Sequence, residues 1–330
     1  MANILILGAG SMGTAFSFPC SDNNHNVSII GTHLENDFID LINSKKKHPV
    51  LDCNIAKNVE FLKIQNLNQE INKKIDLIVV AVISKGIEWV SLELSKVLKK
   101  NVPILILTKG LSVYDNNYEI LAHKMERILK KNGIKETNIS AAGGPCLAKD
   151  LANKNHTSVV FANTNIDTAN EIKKIVSTDY YHISTSKDVI GVEVCAAIKN
   201  IFSMAIGSTK NLNSAAALVQ QSINEMIFFT EKLNGMKETV IGLAGIGDLY
   251  VSADGGRNSK MGKYLGEGLT FKEAKKTKMQ HDTVEGADLA IEIGSKVKKD
   301  FNEKTLPLMI SVIDAICEDK TLKIKWNNFT

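Results

Sequence analysis

Ile4-Leu5-Ile6-Leu7-Gly8-Ala9-Gly10-Ser11-Met12-Gly13 is the stretch that decides the fold. A continuous apolar run is how a buried parallel strand reads, and the tight turn after it takes glycine so that backbone can approach a pyrophosphate without a Cβ in the way. The phosphate then lies on the amino end of the next helix, where unpaired N–H groups and the helix dipole favour an anion. The spacing G-x-G-x-x-G is that of dinucleotide-binding folds. A purely structural glycine turn is the alternative, and the context argues against it. A helical stretch over 14–18 and a second apolar run, Val27-Ser28-Ile29-Ile30, follow in the order a βαβ unit requires.

Outward from this stretch, the first half alternates strand and helix signals. A helix is expected near 37–43, with strands at 75–82, 104–108, 139–142 and 158–162. The segments 88–99 and 117–131 carry apolar residues at three- and four-residue spacing and read as helices. This is the pattern of a doubly wound sheet, whose ligand crevice lies at the carboxyl ends of its strands. Ser84-Lys85, Lys109-Gly110 and Gly143-Gly144-Pro145 therefore belong on one rim. Near 185–188 a helix cap opens a long helical pattern and strand signals largely cease. The expected fold is α/β: an N-terminal Rossmann-type doubly wound sheet over 1–188, a dinucleotide-binding domain, then an all-α C-terminal domain over 189–330 that carries substrate and catalysis.

Composition narrows the function classes. A chain of 330 residues is long enough for about two domains. The net charge is +4 and no basic block exceeds Lys45-Lys46-Lys47, so no nucleic-acid partner is expected. Apolar runs such as 75–83, broken by Asp76, fall short of the ~20 residues of a membrane span, so no membrane insertion is expected. Met1 leads straight into a strand rather than into a secretory signal. The five cysteines, Cys20, Cys53, Cys146, Cys195 and Cys317, show no C-x-x-C pairing, and the seven histidines are dispersed. A reducing cytoplasm and no metal site are the expectations.

Two residue choices stand out. The chain uses lysine almost everywhere a positive charge is needed, and its only arginines are Arg127 and Arg257. Arg127 reads as a solvated helix residue. Arg257 lies in Gly255-Gly256-Arg257-Asn258, where glycines let backbone approach a ligand and a planar guanidinium matches phosphate or carboxylate oxygens; a helix-capping loop arginine is the plainer reading. The second oddity is Lys199 with Asn200 inside the nearly apolar run 194–206. Cys195, Ala196, Phe202 and Ser203 share its helical face. Burial disfavours an ammonium, which is what readies a lysine to exchange a proton near neutrality; the plainer reading is a lysine whose head snorkels to water. A single carboxylate, Asp248, sits in the small-residue run Gly242-Leu243-Ala244-Gly245-Ile246-Gly247-Asp248-Leu249 and needs a cation or a helix to cap. Spacing alone does not tell whether Lys199 is that cation.

Taken together these motifs resemble the bacterial type of NAD(P)-dependent glycerol-3-phosphate dehydrogenase. The resemblance runs along most of the chain through six stretches in order: 7–15, Thr108-Lys109-Gly110-Leu111, Gly143-Gly144-Pro145-Cys146-Leu147-Ala148, Gly191-Val192-Glu193 through Lys199-Asn200, Gly247-Asp248-Leu249 with Gly256-Arg257-Asn258, and Val284-Glu285-Gly286. It implies interconversion of dihydroxyacetone phosphate and sn-glycerol 3-phosphate by hydride transfer with NAD or NADP, supplying glycerol 3-phosphate for phospholipid synthesis. A homodimer is implied too. Lys199 would exchange the proton, Asp248 would hold it, and Lys109 would add a second cation. Substrate contacts would come from Lys109, Gly144, Cys146, Lys199, Asn200, Asp248, Gly256, Arg257 and Asn258. The cofactor would meet Gly8, Gly10, Ser11, Met12, Gly13, Thr32, Lys109, Ala148, Arg257, Thr283 and Glu285.

Three departures from the family pattern are visible. Cys146 stands where many members carry a serine or threonine, and Met12 where an aromatic residue is more usual. The turn after the second strand reads Gly31-Thr32-His33, with neither an acid directly after Ile30 for a ribose 2′-hydroxyl nor an arginine for a 2′-phosphate, so the letters do not choose between NADH and NADPH. Two rivals remain at this level: a related dehydrogenase acting on a 3-hydroxy acid or sugar acid, and a non-catalytic NAD(P) sensor, which would have no use for Lys199, Asp248 and Arg257 together.

Overall fold

The structure is a computed structural model and describes residues 1–329. It divides into two compact units, residues 1–109 with 121–189 and residues 110–120 with 190 onward. The strands are β1 (Asn3–Leu7), β2 (Asn26–Ile30), β3 (Lys47–His48), β4 (Cys53–Asn54), β5 (Val59–Leu62), β6 (Leu77–Val80), β7 (Ile104–Ile106), β8 (Leu111–Tyr114), β9 (Asn117–Ile120), β10 (Ile139–Gly143), β11 (Thr157–Ala162) and β12 (Tyr181–Ser186). The helices of the first unit are α1 (Ser11–Asp22), α2 (Asn36–Lys45), α3 (Leu67–Ile71), α4 (Ile87–Val97), α5 (Leu121–Lys131), α6 (Ala148–Ala152) and α7 (Ile166–Val176).

Eight strands form one sheet in the order β12-β11-β10-β7-β6-β1-β2-β5. Neighbours run parallel except for β10 and β11. Every residue of β6 and β7 is buried, as is β1 from Ile4 on, which is why these segments are apolar without alternation. Because β2 flanks β1 on one side and β6 on the other, the strand order reverses at β1. The glycine turn at its carboxyl end opens onto the crevice where such sheets bind ligands.

The second unit holds α8 (Val189–Gly207), α9 (Leu212–Lys232), α10 (Lys237–Ile241), α11 (Asp248–Ala253), α12 (Arg257–Gly266), α13 (Phe271–Thr277), α14 (Glu285–Asp300) and α15 (Pro307–Cys317). By length and apolarity α8 is able to cross a bilayer, a longer apolar stretch than 75–83; here 94% of its apolar window is buried. A helix apolar on every face is the centre of its unit. Close crossings fix its neighbours. A Cβ on Gly262 would stand 2.0 Å from Met204 O, one on Gly266 1.9 Å from Ser208 O, and one on Gly286 2.5 Å from Asn200 O. These glycines bring α12 and the first turn of α14 against the α8 backbone.

One expectation is corrected. Residues 117–120 are strand, not helix, and pair antiparallel with β8. Asp115 and Asn116 both adopt positive φ, 46° and 58°, which closes a two-residue hairpin turn without glycine. The hairpin belongs to the helical unit, where the Tyr118 ring meets Phe229 edge-on at 5.3 Å and Lys296 Nζ lies 4.8 Å from the Tyr118 ring centre. The strand β12 carries no apolar run in the sequence, because polar His182 and Ser184 alternate with buried Tyr181 and Ile183 on an edge strand.

Candidate active site

In the first unit the turn after β1 is built for a close-lying ligand. Gly8 has φ +111°, and a Cβ there would come within 2.7 Å of Ala81 O; one on Gly13 would come within 2.2 Å of Gly8 O. These two glycines let the turn fold onto the sheet. Gly10 is different, since a Cβ on it would meet nothing within 4 Å. Gly10 is also the N-cap of α1 and gives it no side-chain cap. Open space beside uncapped helical N–H groups, next to Ser11 and Met12, fits a dinucleotide pyrophosphate.

On the turn after β2, the Thr32 backbone N–H donates to Glu35 Oε2 at 2.6 Å, and Ala9 N–H donates to the same oxygen at 3.4 Å. An acid is therefore present at the end of β2 after all, delivered by a turn rather than by the residue after Ile30. It lies five positions after Ile30, so no local pattern marks it.

On the rim formed by β7 and β10, Lys109 Nζ donates to Gly144 O at 3.4 Å, and Gly144 has φ +112°. Thr108 Oγ1 donates to Val82 O at 2.6 Å and fixes the end of β7 to the end of β6. Cys146 is half-buried, and Ala148 opens α6.

In the helical unit, Lys199 is 5% exposed and Asp248 2% exposed. Lys199 Nζ donates to Asp248 Oδ1 at 2.5 Å and to Ser252 Oγ at 2.5 Å. The small-residue run before Asp248 now has a reason. Residues Leu243–Gly247 form one π-turn, with Gly247 N–H donating to Gly242 O at 3.3 Å, and a Cβ on Gly245 would stand 2.0 Å from Val240 O. The wide turn lays Asp248 at the start of α11, and only glycine fits its contact with α10. Ser252 was missed from the sequence, although it lies four residues after Asp248 and so on the same helical face.

Beside this cluster runs a second network. Gly286 N–H donates to Asn258 Oδ1 at 2.8 Å, and Asn258 Nδ2 donates to Asn200 Oδ1 at 3.0 Å. A backbone N–H can only donate, so it fixes the orientation of the Asn258 amide and, through it, that of Asn200, whose Nδ2 donors are left to a ligand. Asn200 and Asn258 are both buried. Gly256 is the N-cap of α12 without a side-chain cap, and Arg257 follows with its guanidinium about half exposed, paired to Glu285. Thr283 is exposed, just before α14. The structure thus brings Lys199, Asp248 and Ser252 into one cluster, Asn200 and Asn258 into another, and Arg257 with Glu285 into a third, all in the helical unit.

The chain matches one family along most of its length. Residues 3–169 match the family described as NAD-dependent glycerol-3-phosphate dehydrogenase N-terminus, and residues 188–326 its C-terminus. The NADP(+)-dependent glycerol-3-phosphate dehydrogenase of Archaeoglobus fulgidus is 32% identical, covering 90% of this chain and 91% of that one. The glycerol-3-phosphate dehydrogenase [NAD(P)+] of Francisella tularensis subsp. novicida is 32% identical over 96% of this chain and 93% of that one. The crystal structure of glycerol-3-phosphate dehydrogenase from Coxiella burnetii shares the fold with a TM-score of 0.83 at 24% identity, covering 97% and 96% of the two chains.

Proposed function

Because this chain belongs to the NAD-dependent glycerol-3-phosphate dehydrogenase family, and so interconverts dihydroxyacetone phosphate and sn-glycerol 3-phosphate with NAD(H) or NADP(H), we propose that buried Lys199 is the group that exchanges the proton. The observation that carries this is the Lys199–Asp248–Ser252 cluster: an ammonium in a nearly apolar helix, gripped by a carboxylate and a hydroxyl. When bound, the nicotinamide supplies or accepts the hydride at C2 of the substrate. In the reducing direction negative charge develops on the C2 oxygen, and Lys199 donates a proton to it; in the oxidising direction the Lys199 amine takes that proton from the hydroxyl. Asp248 and Ser252 are positioning residues that hold the amine in place.

The substrate phosphate is assigned to Arg257 and the uncapped amino end of α12, where a guanidinium and helical N–H groups favour a dianion. Asn200 donates from Nδ2 to a substrate oxygen. Lys109, the Gly144 backbone and Cys146 are proposed substrate contacts of the first unit. Gly8, Gly10, Ser11, Met12, Gly13, Thr32 and Ala148 are proposed cofactor contacts there, with Thr283 and Glu285 from α14 and the turn before it. The enzyme is further proposed to be a homodimer that supplies glycerol 3-phosphate for phospholipid synthesis, and to work in a reducing cytoplasm, which its five free cysteines suit. Static light scattering tests the dimer. The reaction itself is tested by following NAD(P)H absorbance with dihydroxyacetone phosphate and then with 2- and 3-keto acids. Oxidation is expected with the phosphorylated ketose, and turnover with a keto acid alone overturns the assignment.

A further inference from the structure

We propose that Glu35 makes this enzyme select NADH over NADPH. The inference rests on the assignment of the chain as an NAD(P)-dependent dehydrogenase. Its geometry lies wholly within the first unit. After β2 the chain turns through Gly31-Thr32-His33-Leu34-Glu35, with Glu35 N–H donating to Thr32 O at 3.0 Å. The Glu35 side chain then folds back, so that Oε2 accepts from Thr32 N–H at 2.6 Å and from Ala9 N–H at 3.4 Å. One carboxylate thereby bridges the turns that follow two adjacent strands. Gly31 makes room for it, because a Cβ there would already press within 3.2 Å of Glu35 Cβ and 3.0 Å of the Ile39 side chain.

Ala9 belongs to the glycine turn that fits the pyrophosphate. In a doubly wound sheet the adenosine ribose lies next to that turn on the β2 side, and an acid about 20 residues beyond the turn accepts from its 2′-hydroxyl. Glu35 has that spacing and that place. Among the described residues nothing pairs with its second oxygen, Oε1, and the side chain is half-exposed. That oxygen suits a ribose hydroxyl, whereas a 2′-phosphate would bring like charge against it in a partly desolvated crevice. The turn itself offers no compensation, since 31–44 contains no lysine or arginine and Lys63, which reaches this segment, is taken by Asp40 at 2.7 Å. His33 in this turn leans on Trp89 with centroids 5.0 Å apart.

The test measures dissociation constants of NADH and NADPH by isothermal calorimetry, together with kcat/KM for each with dihydroxyacetone phosphate. The variants are Glu35→Gln, which keeps an acceptor oxygen for Thr32 and Ala9 but removes the charge, and Glu35→Asp, which keeps the charge. The wild type should bind NADH at least about tenfold more tightly than NADPH, and Glu35→Gln should shrink that ratio by about tenfold, chiefly through tighter NADPH binding. Glu35→Asp should keep the NADH preference. A wild type that binds NADPH as tightly as NADH, or a ratio that Glu35→Gln leaves unchanged, overturns the proposal and leaves Glu35 a turn-closing residue. Should Glu35→Gln fail to fold, Glu35→Ser, which keeps a short acceptor in the turn without the charge, is read in the same way. Binding of both cofactors without turnover of the phosphorylated ketose would count against the enzyme assignment instead, and the binding ratio would still judge Glu35.

Discussion

Lys199 and Asp248 lie 49 residues apart in the chain and 2.5 Å apart in space, both almost fully buried. An ion pair sealed this way is costly to build and costlier to break, because removing one partner strands the other charge. Lys199→Ala should lower kcat by about three orders of magnitude or more, since proton donor and local positive charge vanish together, while NADH binding measured by calorimetry is retained. Turnover near the wild-type value would remove Lys199 from the mechanism.

Ser252 offers a finer test of the same cluster. Ser252→Ala removes a hydroxyl that holds the amine at 2.5 Å and should lower kcat by about tenfold with KM little changed. Ser252→Thr keeps the hydroxyl and should restore activity. Rescue separates positioning of Lys199 from a packing effect, and failure of threonine to rescue counts against the role.

Arg257→Lys should raise KM for dihydroxyacetone phosphate by about tenfold or more, with a smaller change in kcat, because charge is kept while the paired-donor geometry is lost. The same substitution weakens the contact with Glu285, but that pair is about half exposed and contributes little to stability. Thermal unfolding of the variant should therefore match the wild type within about 2 °C. An unchanged KM would mark Arg257 as structural.

Gly262→Ala tests whether glycine is needed where α12 crosses α8. The new Cβ would overlap Met204 O, a backbone atom that cannot swing aside, so the helices must separate. Destabilisation of about 3 kcal/mol or loss of soluble protein is expected. A melting temperature equal to wild type would show that the crossing can relax.

Glu225 provides a pH signature of stability. It is 1% exposed and accepts the Leu308 and Met309 N–H groups at 2.7 and 2.9 Å, with Gln221 Nε2 at 3.1 Å, at the amino end of α15. Burial outweighs these donors and pushes its carboxyl pKa up to about 7. The folded protein thus holds a proton that the unfolded chain, with an ordinary carboxyl, releases near pH 4.5. The stability from this group is fully present below that pH and is lost as pH rises through about 7. The wild type should lose up to about 3 kcal/mol more than Glu225→Gln between pH 5 and pH 8 in urea titrations. Parallel pH profiles for the two proteins would refute the shift.

Local sequence rules carried the glycine turn, the apolar core strands and the buried lysine, because each is a short-range pattern: period, glycine spacing, a charge where none belongs. They misread 117–120, where two residues at positive φ close a hairpin that helical spacing had concealed. Glu35 is equally invisible to them, because the acid reaches the end of β2 by a turn and not from the residue after Ile30.

The letters alone settled a dinucleotide turn followed by a helix with an out-of-place cation. Only the folded chain could decide that Asp248 and Ser252 grip that cation, that Gly286 orients Asn258 and Asn200, and that one carboxylate ties the ends of β1 and β2 together. The physical reason is range: periodicity and turn chemistry act over a few residues, whereas hydrogen bonds between groups 26 to 58 positions apart exist only once packing has brought them within about 3.5 Å.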